Sequence, residues 1–251
     1  AQLRLDMTSF REGLVKANSL LEQYSQQASR AATMLGGIAA AAAGGLGVAV
    51  KWSAEFEQQM RNVNSILHET EPNIKALGDA VLDLAGKTGQ APATLARGLY
   101  DIASSGFEGA DGLKVLEAAA KAATAGLSTT AVASRAITAV LNAYGMSASE
   151  AGHVSDVLFK TVERGVITFE ELAQNVGDVV AMAATAKAPL EEVGAAIAAM
   201  TKAGVQPAEA FTSLNMVLRS LINPTEEAKA AAAEMGLGWN ATGLASKGLL
   251  G

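Results

Sequence analysis

The chain has 251 residues, a formal net charge of −6 and no cysteine. The missing thiols exclude disulfides, thiolate chemistry and cysteine-based metal sites, and with no run of Lys and Arg to neutralise several phosphates there is no footprint for direct nucleic-acid binding. Half the residues are hydrophobic but only 4% are aromatic, so Ala and Gly carry the surplus and the helices they build share a broad, thin core.

The sequence begins at Ala1 without an initiator Met and stops within Lys247-Gly248-Leu249-Leu250-Gly251, which reads as a fragment of something longer. Its first six residues lack the basic stretch and apolar run of a secretory signal. Residues 1–30 are expected to form an amphipathic N-terminal helix from about Thr8 to Arg30, with Ser9 and Glu12 at capping-box spacing and Phe10, Leu14, Ala17, Leu21, Tyr24 and Ala28 along one stripe.

Residues 31–50 carry no charge between Arg30 and Lys51 and contain Gly36, Gly37, Gly44, Gly45 and Gly47. The length matches a membrane span, but Leu35, Ile38, Leu46, Val48 and Val50 contribute only roughly −0.3 to −0.6 kcal/mol each on an insertion scale. A Gly/Ala-rich helix or linker packed against protein is the favoured reading, with insertion in a membrane as the alternative.

Residues 51–90 give two amphipathic helices. Lys51 to about Leu67 carries Trp52, Phe56, Met60 and Val63; Pro72 marks a break; a second helix from about Asn73 carries Ile74, Leu77, Val81 and Leu84 and stops at Lys87-Thr88-Gly89. From there the sequence is periodic. A Gly followed by an apolar residue recurs at Gly106-Phe107, Gly126-Leu127, Gly145-Met146 and Gly165-Val166, at steps of 20, 19 and 20 residues, and again at Gly204-Val205 and Gly236-Leu237. The stop missing near residue 185 is ascribed to Pro189, and one near 223 to Asn223-Pro224. Gly and Asn tolerate the left-handed conformation that closes a helix. Ser128, and the pairs Ser147/Glu150 and Thr168/Glu171, supply starts, and Pro92, Pro189, Pro207 and Pro224 suit a first helical position.

Residues 91–240 are therefore expected to be an array of helices of 11 to 17 residues, about 20 residues per step and 39 per hairpin, with residues 241–251 beginning a further region. Phe169, Leu172, Val176, Val179 and Val180, then Leu190, Val193, Ile197 and Met200, then Phe211, Leu214, Leu218 and Leu221 give each helix an apolar stripe. Helices this short are marginal alone and must bury those stripes on neighbours. The fold class is all-α.

No reactive constellation emerges. His68-Glu69-Thr70-Glu71-Pro72 opens like a metalloprotease helix but has Pro where the second His belongs. His153, with Asp156 three residues on, reads as a surface histidine. Gly44-Gly45-Leu46-Gly47 lacks the Gly-Lys-Ser/Thr ending of a phosphate loop. Glu170-Glu171, Glu191-Glu192 and Glu226-Glu227 fall in first helical turns, where the helix dipole explains them. Asn240-Ala241-Thr242 matches a glycosylation sequon by a pattern too short to weigh. No catalytic, cofactor-binding or metal residue is nominated, and no cofactor; the binding residues stay unassigned.

The order of motifs resembles the N-terminal conserved region of tape measure proteins from long-tailed bacteriophages and prophages. It runs from Asp6, Phe10 and Leu14 through the uncharged linker to Trp52-Ser53-Ala54-Glu55-Phe56-Glu57-Gln58-Gln59-Met60-Arg61-Asn62-Val63. It continues with Ile102-Ala103-Ser104-Ser105-Gly106-Phe107, Ala203-Gly204-Val205 and Leu214, Leu218, Arg219, Leu221 and Pro224. The resemblance implies a structural virion component, not an enzyme: a longer chain inside the tail tube that sets tube length in assembly and is ejected ahead of the genome. It implies as partners the tail tube protein, tail-tip or baseplate hub proteins, tail assembly chaperones and further copies of itself. It implies residence in the virion tail, in the host cytoplasm during assembly and in the host envelope during ejection. Alternatives are a membrane-active segment at residues 31–50, contacting the host inner membrane in a DNA-ejection conduit, and a cytosolic helical-repeat adaptor unrelated to phage. If residues 31–50 pack on protein, a peptide of residues 28–52 should bind liposomes no better than its variant with Leu46 and Val48 changed to Asp; selective binding by the parent peptide in a flotation assay would favour insertion.

Overall fold

The computed structural model describes residues 45–126 and 128–234, which form ten α-helices, one 3-10 turn and no strand. The helices are α1 (Gly45–Leu67), α2 (Glu71–Thr88), α3 (Pro92–Ser104), α4 (Gly109–Ala125) and α5 (Thr130–Tyr144). After the 3-10 turn Ala148–Glu150 come α6 (Ala151–Arg164), α7 (Phe169–Ala186), α8 (Leu190–Lys202), α9 (Pro207–Ile222) and α10 (Glu226–Glu234). The all-α expectation holds. The expected helix at residues 8–30, the Ser9/Glu12 box, residues 31–44 of the uncharged stretch, the Gly236 stop and the Asn240 sequon lie outside the described residues. The chain divides into two units, residues 1–53 and 54–251, and the packing below is that of the second.

Each helix from α2 to α9 packs on the helices one and two steps away along the chain. The result is two layers, α3–α5–α7–α9 and α2–α4–α6–α8, stacked as successive hairpins. α5 and α7 begin 39 residues apart, as the spacing of stops requires. The apolar stripes meet between the layers: Leu95, Leu99, Ile102, Ile137, Leu141, Leu172, Val180 and Leu218 from one side, and Val115, Leu116, Val154, Val193 and Ile197 from the other, are all almost fully buried. Alanines 119, 120, 123, 133, 136 and 183 fill the remaining space. Each large aliphatic contributes about 1.5–3 kcal/mol by leaving water, each alanine far less.

The helix ends are of two kinds, where the sequence suggested one. Gly89, Gly106, Gly145 and Gly204 adopt φ of 71°, 91°, 64° and 95°. After three of them the next amide donates back to the last turn: Phe107 to Ile102, Met146 to Leu141 and Val205 to Met200, at 3.2, 2.8 and 3.1 Å. These are left-handed closures of the Schellman type. Gly126 and Gly165 are not. Their φ values are −86° and −94°, and a side chain there would collide with a neighbour instead. A Cβ on Gly126 would lie 3.0 Å from the Phe169 ring, and one on Gly165 would lie 2.7 Å from Thr201 Oγ1 and 3.2 Å from Ala198 Cα. The stop near residue 185 comes from Lys187, left-handed at φ 58°, with Ala188 donating to Ala183 at 2.9 Å. Asn223 ends α9 at φ −127°, without a left-handed residue.

The starts need similar correction. Pro92 and Pro207 open α3 and α9, but Pro189 is the residue before α8 and Pro224 precedes Thr225, whose Oγ1 accepts from Ala228 N–H at 3.2 Å. Pro72 lies in the first turn of α2; the break falls at residues 68–70, with His68 left-handed at φ 53°. Thr129, not Ser128, caps α5 by accepting from Val132 N–H at 3.3 Å, while Ser128 Oγ is buried without a partner. The Thr168/Glu171 box forms in full on α7. At Ser147, the backbone N–H donates to the Glu150 carboxylate at 2.8 Å on the 3-10 turn.

Close approach between layer-mates depends on glycine facing a buried hydroxyl residue. A Cβ on Gly194 of α8 would lie 2.4 Å from Thr161 Oγ1 of α6, and one on Gly98 of α3 would lie 2.8 Å from Thr130 Cγ2 of α5. Gly177 of α7, by contrast, has nothing within 4 Å of that position. The two kinds of glycine therefore respond oppositely to alanine. Gly177→Ala should stabilise by about 0.5–1 kcal/mol through helix propensity, and Gly194→Ala should destabilise by about 1–3 kcal/mol through overpacking. Urea unfolding of the two variants reads both signs.

Candidate functional site

The residues that invite a chemical reading are dispersed by the fold into structural roles. Glu170 and Glu171, Glu191 and Glu192, and Glu226 and Glu227 occupy the first turns of α7, α8 and α10. The Glu171 carboxylate accepts the Thr168 N–H and hydroxyl, both at 2.8 Å, and these bonds hold it below the usual Glu range. His68 lies in the turn after α1, its Nδ1 2.8 Å from the Ile66 carbonyl. His153 of α6 pairs through Nε2 with Glu191 of α8 at 2.9 Å, both well exposed. It is thus a pin between two layer-mates, with Asp156 playing no part in that bond. Among the described residues no three His, Asp or Glu gather as a metal site, and no helix is long and apolar enough to cross a membrane.

Long-range polar bonds tie successive hairpins together. Gln90, in the turn before α3, donates to the Ala120 carbonyl at 2.9 Å and to Thr124 Oγ1 at 3.3 Å, both on α4. It also accepts from the Thr130 hydroxyl of α5. Tyr144 at the end of α5 donates to the Ala188 carbonyl at 2.9 Å; burial first, and then the charge of Glu191, push its phenol well above the usual range. Sequence patterning missed these two residues, because a lone Gln and a lone Tyr carry no periodic signal.

Two surface grooves border α1. One, of about 680 Å³, runs between α1 and α2 over Phe56, Met60, Ile74, Gly78 and Leu82, rimmed by Glu57, Arg61, Glu71, Lys75 and Asp79. The other, of about 480 Å³, is lined by Gln59, Asn62 and Ser65 of α1, Arg97, Tyr100 and Asp101 of α3, and Ala131 and Arg135 of α5. There, burial pushes the Asp101 carboxyl above its usual value, and Arg135, 3.9 Å away, offsets this only in part. Neither groove gathers a nucleophile with a base.

The family model described as phage-related minor tail protein matches residues 78–250. The chain is 27% identical over 248 residues to the tape measure protein of Pneumococcus phage Dp-1, covering 94% of this chain and 22% of that protein. It is 30% identical over 211 residues to the probable tape measure protein of Clostridium phage phiCD119, covering 82% of this chain and 22% of that protein. The chain thus spans about a fifth of the length of these curated relatives. No solved structure matches it significantly.

The cap at Thr168 gives a pH-dependent test. A carboxylate held below its usual range stabilises the fold above its unfolded pKa and loses that contribution as pH falls through its folded pKa. Glu171→Ala should therefore lower stability by about 0.5–1 kcal/mol at neutral pH. The difference from the parent should shrink to near zero in acid, where both states are protonated; thermal melts across pH check this.

Proposed function

Because the chain belongs to the phage-related minor tail protein family, we propose that it is the folded helical portion of a tape measure protein. In this reading the longer protein occupies the tube lumen, sets tail length during assembly and leaves ahead of the genome. A structural role in the phage tail follows from the family itself, and the two relatives carry the names tape measure protein and probable tape measure protein. One observation carries the reading: the family match over residues 78–250 coincides with a hairpin stack whose conspicuous surface features are grooves, with no assembled reactive site among the described residues.

The stack bears on how length would be set. An uninterrupted helix gains about 1.5 Å per residue, whereas α2 to α9 double back every 20 residues or so and lie side by side. Residues 54–234 therefore act as a folded anchoring element, and measurement belongs to other parts of the longer protein. The partners in this reading are the tail tube protein, the tail-tip or baseplate hub proteins, assembly chaperones and further copies of the chain. The exposed rims of the two grooves are the surfaces available for them.

Two measurements test the proposal. Peptides from residues 54–234 should appear in purified virions by mass spectrometry, and their absence from tails would overturn the assignment. An in-frame deletion of the 39 residues 130–168, one hairpin, should leave the length of assembled tails unchanged in electron micrographs. Shortening by about 60 Å, the length of that segment as a straight helix, would mean that the stack itself is the ruler.

A further inference from the structure

The two layers of the stack present different chemistry to solvent. Lys75, Lys87, Lys114, Lys121, Lys160 and Lys202 all lie on α2, α4, α6 and α8. The layer α3–α5–α7–α9 carries no lysine; its cations are Arg97, Arg135 and Arg219, and its carboxylates beyond the first helical turns are Asp101 and Asp178. With them stand Tyr100, Met216 and Val217, exposed at 38%, 61% and 45%. Surfaces that meet protein partners are depleted in Lys and enriched in Arg, Tyr and Met. The layer without lysine has that composition, whereas the other is covered by exposed pairs such as Lys114–Asp111 and Lys121–Glu117.

Two of those arginines share one concavity. The groove of about 480 Å³ between α1, α3 and α5 is lined by Arg97 and Arg135, with Gln59 and Tyr100 beside them. What it offers a ligand is mainly unused donors. Among the described residues nothing pairs with the Arg97 guanidinium or the Tyr100 hydroxyl. Arg135 donates through Nε to the Ala131 carbonyl at 3.3 Å, and its terminal nitrogens make no hydrogen bond to the described residues. Gln59 accepts from Asn62 Nδ2 at 3.3 Å and keeps its own amide hydrogens to donate. Among the lining residues only Asp101 is acidic. Its carboxyl is half-buried and pushed above the usual range by that burial, so it answers two guanidinium charges only in part.

We propose that this groove binds a carboxylate-bearing segment of a partner protein, with Arg97 and Arg135 clasping Asp or Glu side chains and Gln59 and Tyr100 donating to the remaining oxygens. A guanidinium presents paired N–H groups in the spacing of the two carboxylate oxygens. A phosphate polymer fits the site less well. The net charge of −6 repels a polyanion at a distance, and two arginines neutralise too few phosphates to hold such a backbone. The tail reading assigns no residue to any partner, and its virion test does not depend on this groove.

Fluorescence anisotropy of a labelled short polyglutamate peptide, titrated with the full 251-residue chain, tests it. The chain should bind this peptide and not a serine peptide of the same length. Arg97→Gln with Arg135→Gln should weaken binding roughly tenfold or more, the effect of losing charge-assisted hydrogen bonds. Arg97→Lys with Arg135→Lys keeps the charge but removes the fork, and should weaken binding by less. Lys114→Gln with Lys121→Gln, on the other layer, should leave the affinity unchanged. All the altered side chains are exposed, and circular dichroism should show parental helix content in each variant. A parent that fails to bind polyglutamate would overturn the site. An equal loss in the Lys114/Lys121 variant would overturn its placement, since attraction would then be general. Inorganic phosphate that displaces the peptide at lower concentration than acetate would overturn the carboxylate assignment.

Discussion

The stack depends on helices coming closer together than ordinary side chains allow. Helices of 13 to 18 residues cannot hold themselves together in water, and an alanine-filled core gives each little area to bury, so stability must come from tight approach to several neighbours at once. Gly98 against Thr130, Gly194 against Thr161 and Gly165 against Thr201 are the points where that approach is enforced. At each, the absent side chain lets another helix's threonine into contact. The hydroxyls of Thr161 and Thr201 stay satisfied by donating to carbonyls of their own helices, Val157 and Ile197, both at 2.9 Å. At these two contacts a polar group is buried without being left unpaired, whereas Ser134 Oγ, beside Gly98, has no partner.

Tight local contact and the absence of substantial long-range packing are two sides of one arrangement. Among the described residues, each helix from α2 to α9 makes substantial contact only with helices one or two steps away, so stability accumulates from nearest-neighbour contacts, as in other repeat arrays. Gln90 and Tyr144 act on the same scale, each locking one hairpin to the next through a backbone carbonyl. Charge follows the architecture as well. The outer faces of α2 and α4 carry i,i+3 and i,i+4 pairs such as Lys87–Asp83 and Lys121–Glu117, which solvate the layer at little energetic consequence.

How much of this was legible in the sequence follows from which signals are local. The all-α class, the 39-residue hairpin period and the buried stripes could be read because a 3.6-residue period and a left-handed Gly closure are each written within a few residues. Gly106, Gly145 and Gly204 were read correctly for that reason. Gly126 and Gly165 look identical in sequence and do a different job, because their reason lies 35 to 45 residues away, in Phe169 and Thr201. Lys187 went unrecognised as a closure because its left-handed backbone is set by the geometry of the turn and not by residue type. The grooves were invisible for the same reason as Gly126: they are properties of helix pairs. Of the chemical candidates, the acidic pairs could be assigned from sequence because first-turn placement is local, whereas the His153–Glu191 bond spans 38 residues and could not.

An array held by nearest-neighbour contacts is weakest where a neighbour is missing. The inner helices have several partners, whereas no described helix stacks beyond α9 and α10 makes no substantial contact with the other described helices. Adding any helix that fits an end would recover a contact of the kind that stabilises the interior, so the pressure to extend a stack and the pressure to associate are the same pressure. Closed folds bury their apolar surface inward and leave a polar exterior. An open stack cannot, because each cut through the repeat exposes a face designed to be covered. Met216 and Val217 are exposed aliphatics on α9, the last described helix of its layer.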